Sequence, residues 1–145
     1  MNKLILCEGE TDAILLSYYL GRTCGWRYVK NSPAGVKIQA DKTCGESVNW
    51  YQRDGDYLLI CAVGSKDRFH TFFDKKIAPP LKSSSAAVFS KIALVLDHDE
   101  DTEAEIVQRI REELALVARN ALHSVWTMHE YQNGYGETQQ LEFLL

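Results

Sequence analysis

The sequence predicts an α/β fold: a mostly parallel central sheet flanked by helices, with a β-rich insertion after the first helix. Three observations carry this. Leu4–Cys7, Leu58–Val63 and Lys91–Leu96 are short, continuous apolar runs, as expected of strands buried on both faces of a parallel sheet. Each is followed by a turn and then by a helical pattern, and repeated strand–helix units imply parallel strands with crossover helices. The 145 residues are the usual size of one domain, so residues 1–145 are read as one unit with its own core.

After the first run, Glu8-Gly9 turns the chain, and Thr11 is expected to cap a helix from Asp12 to about Leu20, with Gly21 as its stop. Ala13, Ile14, Leu15, Leu16, Tyr18 and Tyr19 make that helix apolar almost all round, which predicts deep packing. Residues 22–57 form the β-rich insertion. Strand-like pieces at Arg22–Lys30, Val36–Ala40 and Val48–Gln52 alternate with Gly, Pro, Asn and Ser, and Asp54-Gly55 is a hairpin turn into the second apolar run. That run ends at Gly64-Ser65-Lys66. A helix with Phe69, Phe72, Phe73 and Ile77 on one face should follow and stop at Pro79-Pro80, with a Ser/Ala-rich loop over Lys82–Ser90. The third run leads into Asp97-His98-Asp99-Glu100-Asp101, and Thr102 with Glu105 reads as a capping box for a helix burying Ile106, Ile110, Leu114 and Val117. A fourth strand is expected near Ser124–Met128, a turn at Asn133-Gly134, and a strand-like run at Leu141–Leu145.

Composition narrows the function. Hydrophobic content of 46% with 25% charged residues argues against disorder, and no apolar run approaches the roughly 20 residues that cross a bilayer. The N-terminus lacks the pattern of a signal peptide, so a cytoplasmic location without membrane association is expected. Cys7, Cys24, Cys44 and Cys61 are spaced by 17, 20 and 17 residues, which leaves no metal or redox clip; free thiols are expected, Cys7 and Cys61 as buried small hydrophobes. The net charge of −4 is uneven: residues 1–91 carry 13 Lys/Arg against 9 Asp/Glu (+4), residues 92–145 carry 3 against 11 (−8). The basic residues are scattered and form no phosphate-binding stripe.

In open α/β sheets ligands bind at the carboxyl ends of the strands, which singles out Glu8, Gly64-Ser65-Lys66 and Asp97 onward. If extended geometry persists, Asp97 and Asp99 project the same way and His98 away from them. Paired carboxylates at a strand end repel unless a cation lies between them, and an oxygen-only site suits Mg²⁺, with Mn²⁺ as a substitute. Glu8 would complete such a site and Asp12 stands near it in sequence. A solvated helix cap is the competing reading; it accounts for Glu100, Asp101 and Glu103 but poorly for Asp97 and not for Glu8. Lys66, beside Gly64, is the candidate phosphate contact, with a solvated loop lysine as the competing reading. His70, His123 and His129 have no ligand spacing. Trp50, Tyr51, Trp126 and Tyr131 have rings that can stack on bases, although packing is their commoner use.

These residues resemble the Toprim family. Leu-Ile-Leu-Cys-Glu-Gly-Glu-Thr-Asp (Leu4–Asp12) looks like its first motif and Leu-Val-Leu-Asp-His-Asp-Glu-Asp (Leu94–Asp101) like its second, with Ala62-Val63-Gly64 matching the strand and glycine between them. The likeness spans about residues 3–120. It implies a Toprim/Rossmann-like four-stranded parallel core and a catalytic role for Glu8, Asp97 and Asp99, which in the family serve as acid/base groups or magnesium ligands. Asp12 and Asp101 resemble the auxiliary acids of the OLD-like and ribosomal-RNA-maturase-like nuclease branches. The resemblance thus implies Mg²⁺-dependent, nuclease-type cleavage of DNA or RNA. The alternatives are a non-catalytic Toprim module that binds nucleic acid, nucleotide, a protein partner or its own copy, and a receiver- or phosphatase-type domain, which would need an aspartate where Glu8 stands. The insertion at 22–57 is larger than the minimal fold requires. Gly136-Glu137 is the candidate for the later glycine and acid of the nuclease branches, and the strand-like end of the chain leaves room for structure downstream.

Overall fold

A computed structural model describes residues 1–84, 86–97, 99–114 and 125–145. The apolar runs become strands: β1 (Asn2–Cys7), β4 (Asp56–Ala62) and β5 (Lys91–Val95). With β2 (Arg27–Val29), β3 (Ser47–Arg53), β6 (Thr127–Gln132) and β7 (Thr138–Leu144), they form a seven-stranded sheet ordered β2-β3-β4-β1-β5-β7-β6. The central strands β4, β1, β5 and β7 run parallel to one another. β2 and β3 at one edge and β6 at the other run antiparallel to their neighbours. The sheet is therefore mixed: the expectation of a mostly parallel sheet holds for the central four strands and fails for the whole. The physical reason is the turns, because Asp54-Gly55, with φ of +50° and +84°, closes a tight hairpin that forces β3 antiparallel to β4.

The insertion extends the sheet rather than sitting on it. Of its three expected strands, Arg22–Lys30 supplies only the short β2, Val48–Gln52 lies within β3, and Val36–Ala40 is irregular backbone that buries Val36 and Ile38. The expected fourth strand near Ser124–Met128 begins at Thr127, Ser124 lying outside the described residues, and it turns through Asn133-Gly134 into β7.

Period-two alternation divides the core. One face of the sheet presents Leu4, Leu6, Leu59, Cys61, Ile92 and Leu94 to the helices at 69–83 and α4 (Glu103–Glu113), which contribute Phe69, Phe72, Phe73, Ile77, Ile106 and Ile110. Leu114 joins them, whereas Val117 lies outside the described residues. The Thr102–Glu105 capping box is formed: the Thr102 hydroxyl accepts from the Glu105 N–H at 3.3 Å, and the Glu105 carboxylate from the Thr102 N–H at 2.7 Å.

Pro79-Pro80 do not stop the helix as expected. α2 (Phe69–Phe72) passes through a π turn (Phe73–Ile77) into α3 (Ala78–Ser83). The π turn, with the Ala78 N–H bonding to the Phe73 carbonyl, places both prolines in the first turn of α3, where a missing N–H costs nothing.

The opposite face carries a smaller cluster of Cys7, Leu58, Ile60 and Ala62 beneath α1 (Glu10–Cys24). Gly9, not Thr11, is the cap of α1, and the Asp12 carboxylate accepts from the Gly9 N–H at 3.1 Å. The helix runs past Gly21, whose missing Cβ lets the Trp26 carbonyl approach, and stops at Gly25 with φ +73°. Deep packing of α1 is not observed: Ala13 is buried, but Ile14, Leu15, Tyr18 and Tyr19 are 60–66% exposed. No second helix among the described residues lies over the outer side of α1, so only its sheet-facing stripe is covered. No helix among the described residues is long and apolar enough to cross a membrane.

Candidate functional site

Glu8 follows β1 directly, and the β1–β4 ladder continues past the strand ends to hold it. The Val63 N–H donates to the Cys7 carbonyl and the Gly64 N–H to the Glu8 carbonyl, both at 2.9 Å. Gly64 is irreplaceable for two reasons: its φ is +105°, and a Cβ would stand 2.2 Å from the Cys44 carbonyl oxygen. With its N–H engaged by Glu8, Gly64 anchors the acid rather than presenting an amide to phosphate.

The Glu8 Oε1 atom is buried and has no hydrogen-bond partner. Burial pushes the Glu8 carboxyl above the usual carboxylate range, the Asp97 backbone N–H partly opposes the shift, and the charges of Asp97, Asp99 and Asp12 add to it. All three aspartates thus act on one carboxyl from two other segments of the chain. Cys7, buried next to Glu8, has its thiol pushed up to about 12 by burial first and then by Asp12 and Glu8, so it is inert as a nucleophile. All four cysteines are free, Cys7 and Cys61 buried and Cys24 and Cys44 half-buried.

β5 ends at Val95, and the extended geometry expected to align Asp97 with Asp99 does not persist. Asp99 has φ +38°, in the left-handed region that costs a non-glycine residue about 1–3 kcal/mol. Both aspartates are exposed, and His98 lies outside the described residues. Lys66 Nζ stands 3.6 Å from both Asp99 and Asp101, and Arg109 stands 3.3 Å from Asp101. Asp101 foremost, then Asp99, hold the Lys66 ammonium above its ordinary range. Lys66 is thereby engaged by carboxylates, and Asp101 is balanced by two cations. The Asp12 carboxylate is engaged by the N–H of Gly9, the cap residue of α1. Among the described residues no three His, Cys, Asp or Glu side chains are grouped closely enough to hold one metal ion.

The other residues singled out by sequence sort by burial. Trp50 and Tyr131 are buried, Tyr51 packs edge-on to Tyr28, and the partly exposed Trp126 lies under the Lys91 ammonium at 4.8 Å. His70 faces Asp74 at 3.3 Å, His129 is buried against Phe143, and His123 lies outside the described residues. Gly136, with φ +78°, belongs to the β6–β7 turn, where the Glu137 carboxylate accepts from the Asn133 amide at 2.8 Å.

Sequence reasoning missed Glu46. It is buried, and it is bound by Arg68 at 3.0 Å, Lys76 at 2.9 Å and the Asp41 N–H at 3.0 Å. Burial alone would raise its pKa, but these partners outweigh burial and lower it. Arg68 also donates to the Val63 carbonyl at 3.2 Å, so this cluster fixes the loop that packs on Gly64 behind Glu8. An isolated Gly-Glu-Ser in a polar stretch carries no signal for partners 22 and 30 residues away.

No protein-family model matches the chain, and no curated protein matches it. Among solved structures, a hypothetical protein from Pyrococcus horikoshii OT3 superposes with a TM-score of 0.63 at 18% identity. That alignment covers 99% of this chain and 54% of the other, so the chain shares its fold and spans about half of its length. The fosfomycin resistance protein FosX from Listeria monocytogenes, complexed with Mn(II) and sulfate, aligns at a TM-score of only 0.30 and 11% identity over 100% of this chain and 92% of its own. A likeness that low carries no argument.

Proposed function

We propose that this chain is a Toprim-like domain that cleaves phosphodiester bonds of DNA or RNA with Mg²⁺, or Mn²⁺ in its place. The observation that carries the reading is Glu8: a carboxylate with a buried, unpartnered oxygen, at the carboxyl edge of a parallel core, in the field of Asp97 and Asp99. An unsatisfied buried carboxylate oxygen is costly unless a cation or proton completes it. The reading is supported by the four parallel strands β4, β1, β5 and β7 at the centre of the sheet, with the two motif-like segments following the neighbouring strands β1 and β5.

Glu8 would hold the metal with Asp97 and Asp99 once those exposed aspartates close on the ion, because among the described residues the acids as they stand are not grouped closely enough to hold it; Asp12 lies at the edge of the group. Bound there, the ion would activate water and offset charge developing on the phosphate. Lys66, now neutralised by Asp99 and Asp101, would turn to the substrate phosphate once those carboxylates are engaged elsewhere.

The test is Mn²⁺- or Mg²⁺-dependent cleavage of single- and double-stranded DNA and RNA by the wild type and by Asp97→Ala. Wild-type cleavage that Asp97→Ala abolishes, with its thermal melt unchanged, is the expected result; cleavage retained in the variant contradicts the reading. One observation favours a non-catalytic Toprim module instead: Lys66, the candidate phosphate contact, is already paired with Asp99 and Asp101, and Arg109 is paired with Asp101. Metal binding without turnover on any of these substrates would select that alternative.

A further inference from the structure

We infer that the outer face of α1 is a self-association surface, on which α1 of a second copy of this chain packs antiparallel. The face is built by sequence. Thr11, Ile14, Leu15, Tyr18, Tyr19 and Arg22 recur at three- and four-residue intervals, so they form one stripe, and all six are exposed. The sheet takes the opposite stripe, through Ala13, Leu16 and Leu20. A helix that is apolar on both sides has two surfaces to bury, and only one of them is covered here.

The stripe runs about 16 Å along the axis. Its four large apolar side chains, each 60–66% exposed, present on the order of 500 Å². Two such faces in contact would bury about 1,000 Å² in all, the least that a specific interface needs. Its ends select the partner. The first turn of α1 carries Glu10 and Asp12, and the last turn carries Arg22. In an antiparallel pair about a two-fold axis between Leu15 and Tyr18, Leu15 meets Tyr18 of the other copy, and Ile14 and Tyr19 flank this seam on its two edges. Arg22 then reaches the acidic first turn of the opposite helix. The face is complementary to itself, as an isologous contact requires. Arg22 stacks on Tyr18 at 5.6 Å, which holds its guanidinium along the stripe. A lipid surface fits less well, because membrane-lying helices carry several Lys or Arg and α1 carries one, in a chain of net charge −4.

The test is sedimentation velocity on the full chain from about 1 to 100 μM, the range in which an interface of this size is expected to associate. The wild type should pass from monomer to dimer. Leu15→Glu, at a solvent-facing position that leaves the fold intact by circular dichroism, should raise the dissociation constant by about 30-fold or more. Arg22→Glu should raise it about tenfold, and Glu10→Arg combined with Arg22→Glu should restore it. A wild type that stays monomeric throughout overturns the inference, as does a dimer indifferent to Leu15→Glu or a double variant no tighter than Arg22→Glu. A monomer that floats with anionic phosphatidylglycerol vesicles overturns it in favour of lipid.

Discussion

Replacing Gly64 by alanine tests how rigidly the fold holds Glu8. Two costs can be read from the structure. At φ +105° an L-residue is strained by about 1–3 kcal/mol. The new Cβ would also stand 2.2 Å from the Cys44 carbonyl oxygen, which is backbone and cannot rotate away. Relieving that overlap moves the loop that Glu46 ties to Arg68 and Lys76, and overpacking of this kind costs about 1–3 kcal/mol. Together these give about 2–6 kcal/mol, or a melting temperature lower by roughly 6–20 °C for a chain of this size. Gly35→Ala is the control: its φ is +83° but no atom lies near its Cβ, so only the strain of about 1–3 kcal/mol remains. Calorimetry on both variants measures the difference. A Gly64→Ala melt no lower than that of Gly35→Ala refutes the close approach of the 41–46 loop to the strand end.

Three further predictions concern charge. The Glu8 carboxyl is raised from its ordinary 4.5, so the folded chain binds more protons than the unfolded one just above that pH; stability falls as pH rises through the window, and the cost persists at neutral pH. Glu8→Gln should therefore melt higher than wild type at pH 7 without divalent cation and match it below about pH 4, and an equal melt at pH 7 would count against a strained carboxylate. Glu46 is shifted the other way, so its contribution is present above 4.5 and is lost as pH falls through its lowered value; Glu46→Gln should cost about 2–4 kcal/mol in a urea titration at pH 7 and less in acid. On the proposed function, Lys66→Ala should weaken binding to DNA or RNA evenly across sequences and flatten its salt dependence by about one counterion, measured by fluorescence anisotropy; wild-type anisotropy that does not change with either nucleic acid would contradict that function.

The elements that the sequence made legible are those set by local chemistry. β1, β4 and β5 follow from continuous apolar runs, the β3–β4 turn from Asp54-Gly55, and the start of α4 from Thr102 and Glu105. What it hid depends on partners distant in the chain. Periodicity marks α1 as apolar all round but cannot say that only one side meets the sheet. Pro79-Pro80 read as a stop because no local sequence signal marks the π turn at Phe73–Ile77 that sets them in the first turn of α3. At the candidate site, the positions of Glu8 and Asp97 at adjacent strand ends were legible. The left-handed Asp99 and the pairing of Lys66 with Asp99 and Asp101 were not, since both arise where the chain leaves β5 and meets the segment after β4.

The most direct measurement is a Mn²⁺ titration followed by calorimetry and by anomalous diffraction from soaked crystals. The proposed function predicts one ion per chain, coordinated by the Glu8 oxygen now buried without a partner together with Asp97 or Asp99, and loss of that binding in Glu8→Gln. No bound ion at millimolar Mn²⁺, or an ion held elsewhere with Glu8 untouched, would contradict it.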